Sequence, residues 1–295
     1  MRIKKYFDNY YKNVIINNNH NVKDIVENSK MASLDSVFVA IKGYKHNGID
    51  YIEEAIKNGA KTIIFDEEIS FSNKNVNFIK VCDAKVELAR LLNWFYQKKS
   101  KPKIIAVTGT NGKTSVTMYT FNALKKLNIN CLLIGTEENI SFYNGRLRYI
   151  RASNTTPSIT TIYQLMMEHP YKYLIMEASS QGICEGRLLG LTFRVACFTN
   201  ITQDHLDYHK TMDNYANAKS RIVYQLEDEG ILILNRDMNY FTEIKKLSIN
   251  RIYTYSIQDD TAMIYGRIID RKIGGMKVAI DTLSKKKIIN TKLMG

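Results

Sequence analysis

From Val37 onward, apolar and polar positions fall into alternating blocks of strand length and helix length. The run VFVA is followed by IDYIEEAIKNGA, whose apolar residues recur at helical spacing, then by KTIIF and NFIKVC as strands and KVELARLLNWFYQ as a second amphipathic helix. This pattern predicts an α/β unit. The charge run KKSKPK at residues 98–103, with Pro102 inside it, interrupts the alternation and reads as a linker, dividing the chain into domains at 1–98 and 99–295. Beyond the linker the blocks become more regular. KIIAV, CLLIG, YLIME, VACFTN and GILILN read as strands, and helices are predicted from Lys113 to Leu127, over SITTIYQLMMEH and around Tyr215 to Gln225. Strands separated by helix-length segments pair in parallel, with helices on both faces of the sheet. After Arg251 the segments IYTYSI, AMIYGRII and KVAI read as a β-meander appended to that sheet. The sequence ends at KLMG in what reads as a strand and turn, so a further C-terminal domain is expected to be missing from it.

At 295 residues the chain is long enough for two domains, each able to bury its own core. The content of 45% hydrophobic and 24% charged residues is that of a folded globular protein rather than a disordered one. A surplus of 42 Lys+Arg over 29 Asp+Glu gives +13, which favours anionic ligands. The densest basic stretch, Arg271 to Lys292, lacks the interleaved aromatics that stack bases, so a phosphate-rich small molecule is expected rather than nucleic acid. Cys82, Cys131, Cys184 and Cys197 are widely spaced, with no metal or disulfide pattern. No segment carries the roughly 18 apolar residues of a membrane helix, and no signal peptide is visible. A cytoplasmic monomer without membrane insertion is the expectation.

Residues 104–115, IIAVTGTNGKTS, hold the sharpest chemistry. A buried strand leads into a turn with Gly109 and Gly112, and Lys113 and Thr114 open a helix. Small residues let backbone N–H groups close around phosphate oxygens, and the helix N-terminus adds partial positive charge. Lys113 bridges terminal phosphates, and the Thr114 hydroxyl is suited to magnesium. Val107 stands where the longer G-x-x-x-x-G-K-[ST] spacing would need glycine, so the loop is G-x-x-G-K-T.

TGTNGKTS closely resembles the ATP loop of the Mur ligase family. NSKMASLDSVFVAIKGYKHNG (28–48) resembles the uridine-sugar segment of the family's UDP-N-acetylmuramoyl-dipeptide ligases. NTTPS (154–158), MEASSQGICEGR (176–187) and FTNITQDHLDYHKTMDNYANAKS (198–220) resemble their successive central motifs, in the same order. The resemblance implies an α/β uridine-substrate domain followed by a central P-loop domain with a mostly parallel sheet. It implies that Gly109, Thr110, Asn111, Gly112, Lys113, Thr114, Ser115 and, on the adenosine side, Asn235 bind ATP. Ser29, Tyr44, Lys45, His46, Asn154, Thr155, Thr156, Ser179, Glu185 and Arg187 would bind the UDP-muramoyl dipeptide. Thr114, Glu177, His205 and Lys219 would serve magnesium, Lys219 as a carbamate, with Lys113, Glu177, His205 and Lys219 acting in catalysis.

Without that resemblance, Glu177 is a solvated strand end, Lys219 a surface charge and Arg187 a surface ion pair. His205 and His209 are four apart, as two zinc ligands on one helix face can be, but Leu206 stands where the H-E-x-x-H motif needs Glu. Gln181 and Lys30 stand where these ligases commonly have His and Arg, and Glu185 where an amide is expected. The implied activity is ATP-dependent addition of the third amino acid to UDP-N-acetylmuramoyl-L-alanyl-D-glutamate, in peptidoglycan synthesis, through an acyl phosphate. The alternatives are a divergent Mur-type ligase with another carboxylate substrate and a P-loop switch without ligase activity. A folylpolyglutamate-type enzyme is disfavoured by the uridine-sugar segment.

Overall fold

A computed structural model describes residues 1–12, 14–43 and 46–292. In chain order the first elements are α1 (Ile3–Tyr10), β1 (Ile25–Val26), β2 (Val37–Val39), α2 (Ile52–Lys57), β3 (Thr62–Phe65), β4 (Asn77–Lys80) and α3 (Ala84–Phe95). Then come β5 (Lys103–Thr108), α4 (Lys113–Lys126), β6 (Cys131–Ile134), β7 (Glu138–Tyr143), β8 (Arg146–Arg151), α5 (Ile159–Met166), β9 (Tyr173–Glu177), α6 (Ser180–Cys184) and β10 (Phe193–Phe198). The remainder are α7 (Leu206–His209), α8 (Met212–Ser220), β11 (Leu226–Asn235), α9 (Phe241–Lys246), β12 (Arg251–Ser256), β13 (Ile264–Lys272), β14 (Gly275–Thr282) and β15 (Lys286–Thr291).

Two compact units emerge. The first is made of Met1–Lys101 together with Pro157–Pro170 and Glu185–Leu191. Its sheet is wholly parallel, in the order β1-β2-β3-β4. Val26, Phe38, Ala40, Ile52, Ala55 and Ile63 form a core between that sheet and α2. Asp83 caps α3 by accepting from the N–H groups of Lys85 (2.8 Å) and Val86 (3.0 Å). The helix α5, capped by Ser158, joins this unit: Tyr163 donates to Asn93 of α3 (2.8 Å) and stacks on Tyr96 with ring centroids 5.5 Å apart.

The second unit holds Pro102–Thr156, Tyr171–Cys184 and the chain from Thr192 on. Among the described residues its sheet has eleven strands, in the order β15-β14-β13-β12-β11-β10-β5-β9-β6-β7-β8. The seven from β13 to β6 are mutually parallel. The segment IYTYSI therefore extends the parallel sheet as β12, and does not begin the expected meander. The antiparallel hairpins are β13-β14-β15 at one edge and β6-β7-β8 at the other. Helix around Tyr215 to Gln225 is also corrected, since α8 stops at Ser220 and a 3-10 turn covers Arg221–Gln225. The last three residues of KLMG lie outside the described residues. Phe121 of α4 packs with Cys131, Leu133, Ile140 and Ile175 to anchor that helix on the sheet. The carboxyl ends of β5, β6, β9 and β10 thus share one edge, where open α/β sheets gather ligands.

Candidate functional site

The turn between β5 and α4 is shaped by its glycines. Gly109 sits at φ 144°, and a Cβ there would lie 1.8 Å from Thr199 Oγ1 and 3.0 Å from the Asn200 carbonyl oxygen. Gly109→Ala is accordingly expected to cost about 1–3 kcal/mol of stability, from backbone strain and the displaced Thr199 loop. Urea unfolding measures this, and an unchanged midpoint would show that the loop relaxes freely. Gly112, at φ 83°, is the N-cap of α4 and supplies no side-chain cap, which leaves the first N–H groups of the helix available to an anion.

The loop is braced from the segment after β10. Asn200 Oδ1 accepts from Asn111 N–H (3.0 Å), and Thr199 Oγ1 donates to the Asn111 carbonyl (2.6 Å). Thr110 Oγ1 donates to the Thr202 carbonyl (3.1 Å) and stands 3.2 Å from the Tyr215 hydroxyl. Asn235 Nδ2 donates to the Thr199 carbonyl (2.9 Å), so Asn235 supports the brace. Ser115 is exposed in the first turn of α4.

Two lysines converge on one oxygen. Lys113 Nζ folds back to donate to the carbonyls of Gly109 (2.9 Å) and Thr110 (2.8 Å), and Lys219 Nζ, from α8, also donates to Gly109 O (2.9 Å). Lys219 is 1% exposed and its ammonium lies 4.5 Å from the centre of the Tyr215 ring. Burial, then the nearby charge of Lys113, push its pKa down to about 7, with Asp204 opposing them. Burial lowers the Lys113 pKa as well, against Glu177 and Asp204. A helical lysine that sequence pattern reads as a solvated charge is here a buried amine with a large neutral fraction at neutral pH.

Glu177 ends β9 fully buried. Its carboxylate accepts from the Thr114 hydroxyl (3.1 Å), the Thr136 hydroxyl (2.9 Å) and the Thr136 N–H (3.0 Å). Its backbone carbonyl accepts from Thr156 Oγ1 (2.8 Å), which in turn accepts from Ser179 N–H (2.9 Å). Thr155 Oγ1 lies 3.2 Å from Thr136 Oγ1, and Asn154 is exposed beside it. The structure thus gathers Thr114, Thr155, Thr156 and Ser179 around Glu177, and Lys113 and Lys219 at the Gly109 carbonyl.

Among the described residues no three His, Cys, Asp or Glu side chains gather closely enough to hold a metal by themselves. The donor set still suits magnesium, which takes few protein ligands and completes its shell with water and phosphate. Thr114 Oγ1 and Glu177 Oε2, 3.1 Å apart, have the spacing of adjacent ligands on an octahedral ion with bonds of about 2.0–2.1 Å. His205 stands in another setting: its side chain is 62% exposed and it pairs with Asp204 at 3.4 Å. His209 is buried, with Nε2 2.9 Å from Ser180 Oγ, and its pKa is lowered by burial and by the Lys219 and His205 charges.

In the first unit, Ser29 is buried and its hydroxyl donates to Glu54, while Asn58 donates to its carbonyl (2.9 Å). His46 is exposed, with Nδ1 3.2 Å from the Tyr51 hydroxyl. Tyr44 and Lys45 lie outside the described residues. Arg187 Nε donates to Glu185 (2.8 Å), so these two substrate-binding candidates are paired with each other. Sequence reasoning does not single out Thr136, Thr199, Asn200, Asp204 and Tyr215. Thr199, Asn200 and Asp204 lie within the quoted FTNITQDH, and Thr136 follows a strand ending at the same sheet edge, so position along the strands could have marked them.

A parallel sheet with a G-x-x-G-K-T turn and a carboxylate on the neighbouring strand end defines a P-loop nucleotide-binding class. The chain belongs to the Mur ligase family: residues 107–295 match the Mur ligase middle domain, and residues 26–97 match the Mur ligase family catalytic domain. A UDP-N-acetylmuramoyl-L-alanyl-D-glutamate–2,6-diaminopimelate ligase of Caldanaerobacter subterraneus subsp. tengcongensis is 34% identical over 283 residues, covering 95% of this chain and 57% of that protein. A UDP-N-acetylmuramyl-tripeptide synthetase of Borreliella afzelii is 32% identical over 285 residues, covering 93% and 56%. A solved structure of a UDP-N-acetylmuramoyl-L-alanyl-D-glutamate–2,6-diaminopimelate ligase has the same fold, with TM-score 0.79, 24% identity and coverage of 94% and 57%. The chain thus spans little more than half the length of these relatives. Among the described residues no helix is long and apolar enough to cross a membrane.

Proposed function

We propose that this chain carries the ATP and UDP-substrate sites of a ligase that adds the third amino acid to UDP-N-acetylmuramoyl-L-alanyl-D-glutamate during peptidoglycan synthesis. The observation that carries the reading is the convergence of Lys113 and Lys219 beside the Thr114–Glu177 pair. It assembles two lysine side chains and a magnesium-compatible oxygen pair around one anion-binding loop. Residues 1–98 are the uridine-substrate domain in this reading, and 99–295 the ATP domain.

Gly109 to Ser115 wrap the phosphates with backbone N–H groups, and Lys113 exchanges its carbonyl acceptors for phosphate oxygens. Asn235 holds the brace on the adenosine side. Thr114 and Glu177 would hold one magnesium ion and His205 a second, with a carbamate on Lys219 serving both, and bound magnesium would neutralise the charge that spreads over the transferring phosphoryl group. The Lys219 carbamate forms when the neutral amine adds carbon dioxide and releases a proton, a step that the lowered pKa favours. Ser29, Tyr44, Lys45, His46, Asn154, Thr155, Thr156, Ser179, Glu185 and Arg187 orient the dipeptide. Arg187 suits a substrate carboxylate that displaces Glu185. The γ-phosphoryl group passes to the dipeptide carboxylate, giving an acyl phosphate open to attack by an amine. The relatives' names specify diaminopimelate in one case and only a tripeptide in the other, so the reading extends to the position of the third residue and not to its identity.

Calorimetry is expected to show that the chain binds ATP with magnesium and binds the UDP-muramoyl dipeptide. Positional isotope exchange in bridge-labelled ATP, dependent on the dipeptide, is expected to report acyl phosphate formation without any amine. ATP binding without dipeptide binding would sink the tripeptide reading.

A further inference from the structure

We propose that Thr136 is a positioning residue that fixes the Glu177 carboxylate and couples the cation side of the site to the Asn154–Thr156 segment. This rests on the reading of Thr114 and Glu177 as the magnesium pair. It adds a residue for which neither the sequence motifs nor the family match supplies a role.

The placement comes from the sheet. β6 and β9 are parallel neighbours with Ile134 opposite Met176, so the two residues after β6 arrive beside Glu177. Gly135 permits the approach, since a Cβ there would lie 2.8 Å from Glu177 Oε1. Thr136 then grips both carboxylate oxygens, its N–H on Oε1 (3.0 Å) and its hydroxyl on Oε2 (2.9 Å). A two-point grip sets the plane of the carboxylate, and with it the direction in which Oε2 faces the Thr114 hydroxyl.

The same hydroxyl lies 3.2 Å from Thr155 Oγ1. A threonine hydroxyl has one proton and two lone pairs. Thr136 Oγ1 therefore divides its one proton between Glu177 Oε2 (2.9 Å) and Thr155 Oγ1 (3.2 Å). The result is a competition for that proton at the oxygen that also accepts from Thr114. Thr156 grips the backbone of Glu177 through its carbonyl (2.8 Å), so the 154–156 segment reaches this residue at both ends. A ligand that donates to Thr155 Oγ1 displaces Thr136 from it, leaves the whole proton to Glu177 and changes the field at the cation site.

The test is a double-mutant cycle read by calorimetry, with ATP titrated in magnesium and in EDTA. Thr136→Val keeps the N–H and the shape but removes the hydroxyl. It should weaken magnesium–ATP binding ~10-fold, the worth of a hydrogen bond to a charged group, and leave binding in EDTA unchanged. Thr136→Ser should stay within ~2-fold of wild type, since it restores the donor. Thr155→Val removes the competing acceptor and should tighten binding ~3-fold in magnesium, and the double variant should match Thr136→Val alone rather than recover ~3-fold. Equal losses with and without magnesium, an additive double variant, or no loss in Thr136→Val would each overturn the proposal. If Thr136→Val does not fold, the magnesium dependence of Thr155→Val decides: a gain only with magnesium supports the coupling, and any other result refutes it. Wild-type protein that binds ATP no better with magnesium would defeat the metal reading itself, and the proposal with it. A wild type that responds to magnesium beside an unresponsive Thr136→Val isolates the failure to Thr136.

Discussion

Lys219→Met is expected to make the protein more stable at pH 6, by about 1–4 kcal/mol, because it replaces a buried cation with an apolar chain of similar length. The lysine is 1% exposed, and its hydrogen-bond acceptor is a neutral carbonyl. Its pKa falls to about 7 when folded, through burial first and the charge of Lys113 second. Unfolded, the same side chain titrates near the ordinary lysine value of about 10.4. Between those two values the unfolded chain binds a proton that the folded chain has released, so folded-state stability rises with pH across the window. The methionine variant lacks that slope. Its advantage should be full below about pH 7 and should close as the pH approaches ~10.4. Urea unfolding in carbon dioxide-free buffer across pH 6–10 checks this, and a pH-independent difference would contradict it. In labelled bicarbonate, carbon NMR should show a carbamate in the wild type and none in the variant. Under the proposed function, the variant also loses the dipeptide-dependent isotope exchange.

Lys113→Ala should weaken ATP binding ~100-fold, since the ammonium would supply two charge-assisted hydrogen bonds, each worth roughly 1.5–3 kcal/mol before compensation. Calorimetry measures it, and an affinity within a few-fold of wild type would remove Lys113 from the phosphate site. A second effect follows from the shared carbonyl. The charge of Lys113 is one of the causes that depress Lys219, so its removal should raise the Lys219 pKa and shift carbamate formation to higher pH. Stability at neutral pH should change little or rise slightly, as a like-charge repulsion disappears.

The phosphate loop was legible because it is local. Gly109, Gly112, Lys113 and Thr114 work through their spacing, and a strand and a helix on either side are visible as hydrophobic periodicity. The alternation of strands and helices likewise announced a mostly parallel sheet. Lys219 was legible only by resemblance, because nothing in MDNYANAKS distinguishes a buried amine from a solvated one; its burial is created by Tyr215 and by a loop more than a hundred residues upstream. Strand content in IYTYSI did not reveal that β12 would pair in parallel with β11, because pairing direction is decided by partners. The β7-β8 hairpin did carry a local signal. Asn144 and Gly145 take φ values of 49° and 76°, the left-handed pair that an Asn-Gly turn favours, although the flanking residues do not alternate cleanly. The association of α5 with α3 lies in tertiary contacts, so a cut at residue 99 misses it. Among the substrate candidates, Thr155, Thr156 and Ser179 gather at Glu177, while Glu185 and Arg187 pair with each other.

The central strand β5 has a consequence for the order in which the protein takes shape on the ribosome. Its neighbours, β9 and β10, are made about 70 and 90 residues later, and the contacts that hold the phosphate turn arrive later still. The Thr110–Thr202 bond spans 92 residues and the Lys219–Gly109 bond spans 110. At synthesis speeds of 5–20 residues per second, the turn waits roughly 5 to 20 s between its own emergence and that of Lys219. Contacts of such sequence separation form slowly, since loop closure comes before any gain from pairing. A nascent chain paused before residue 219 would therefore expose an unsupported glycine turn and an apolar strand with open edges, and chaperone capture should peak within that interval.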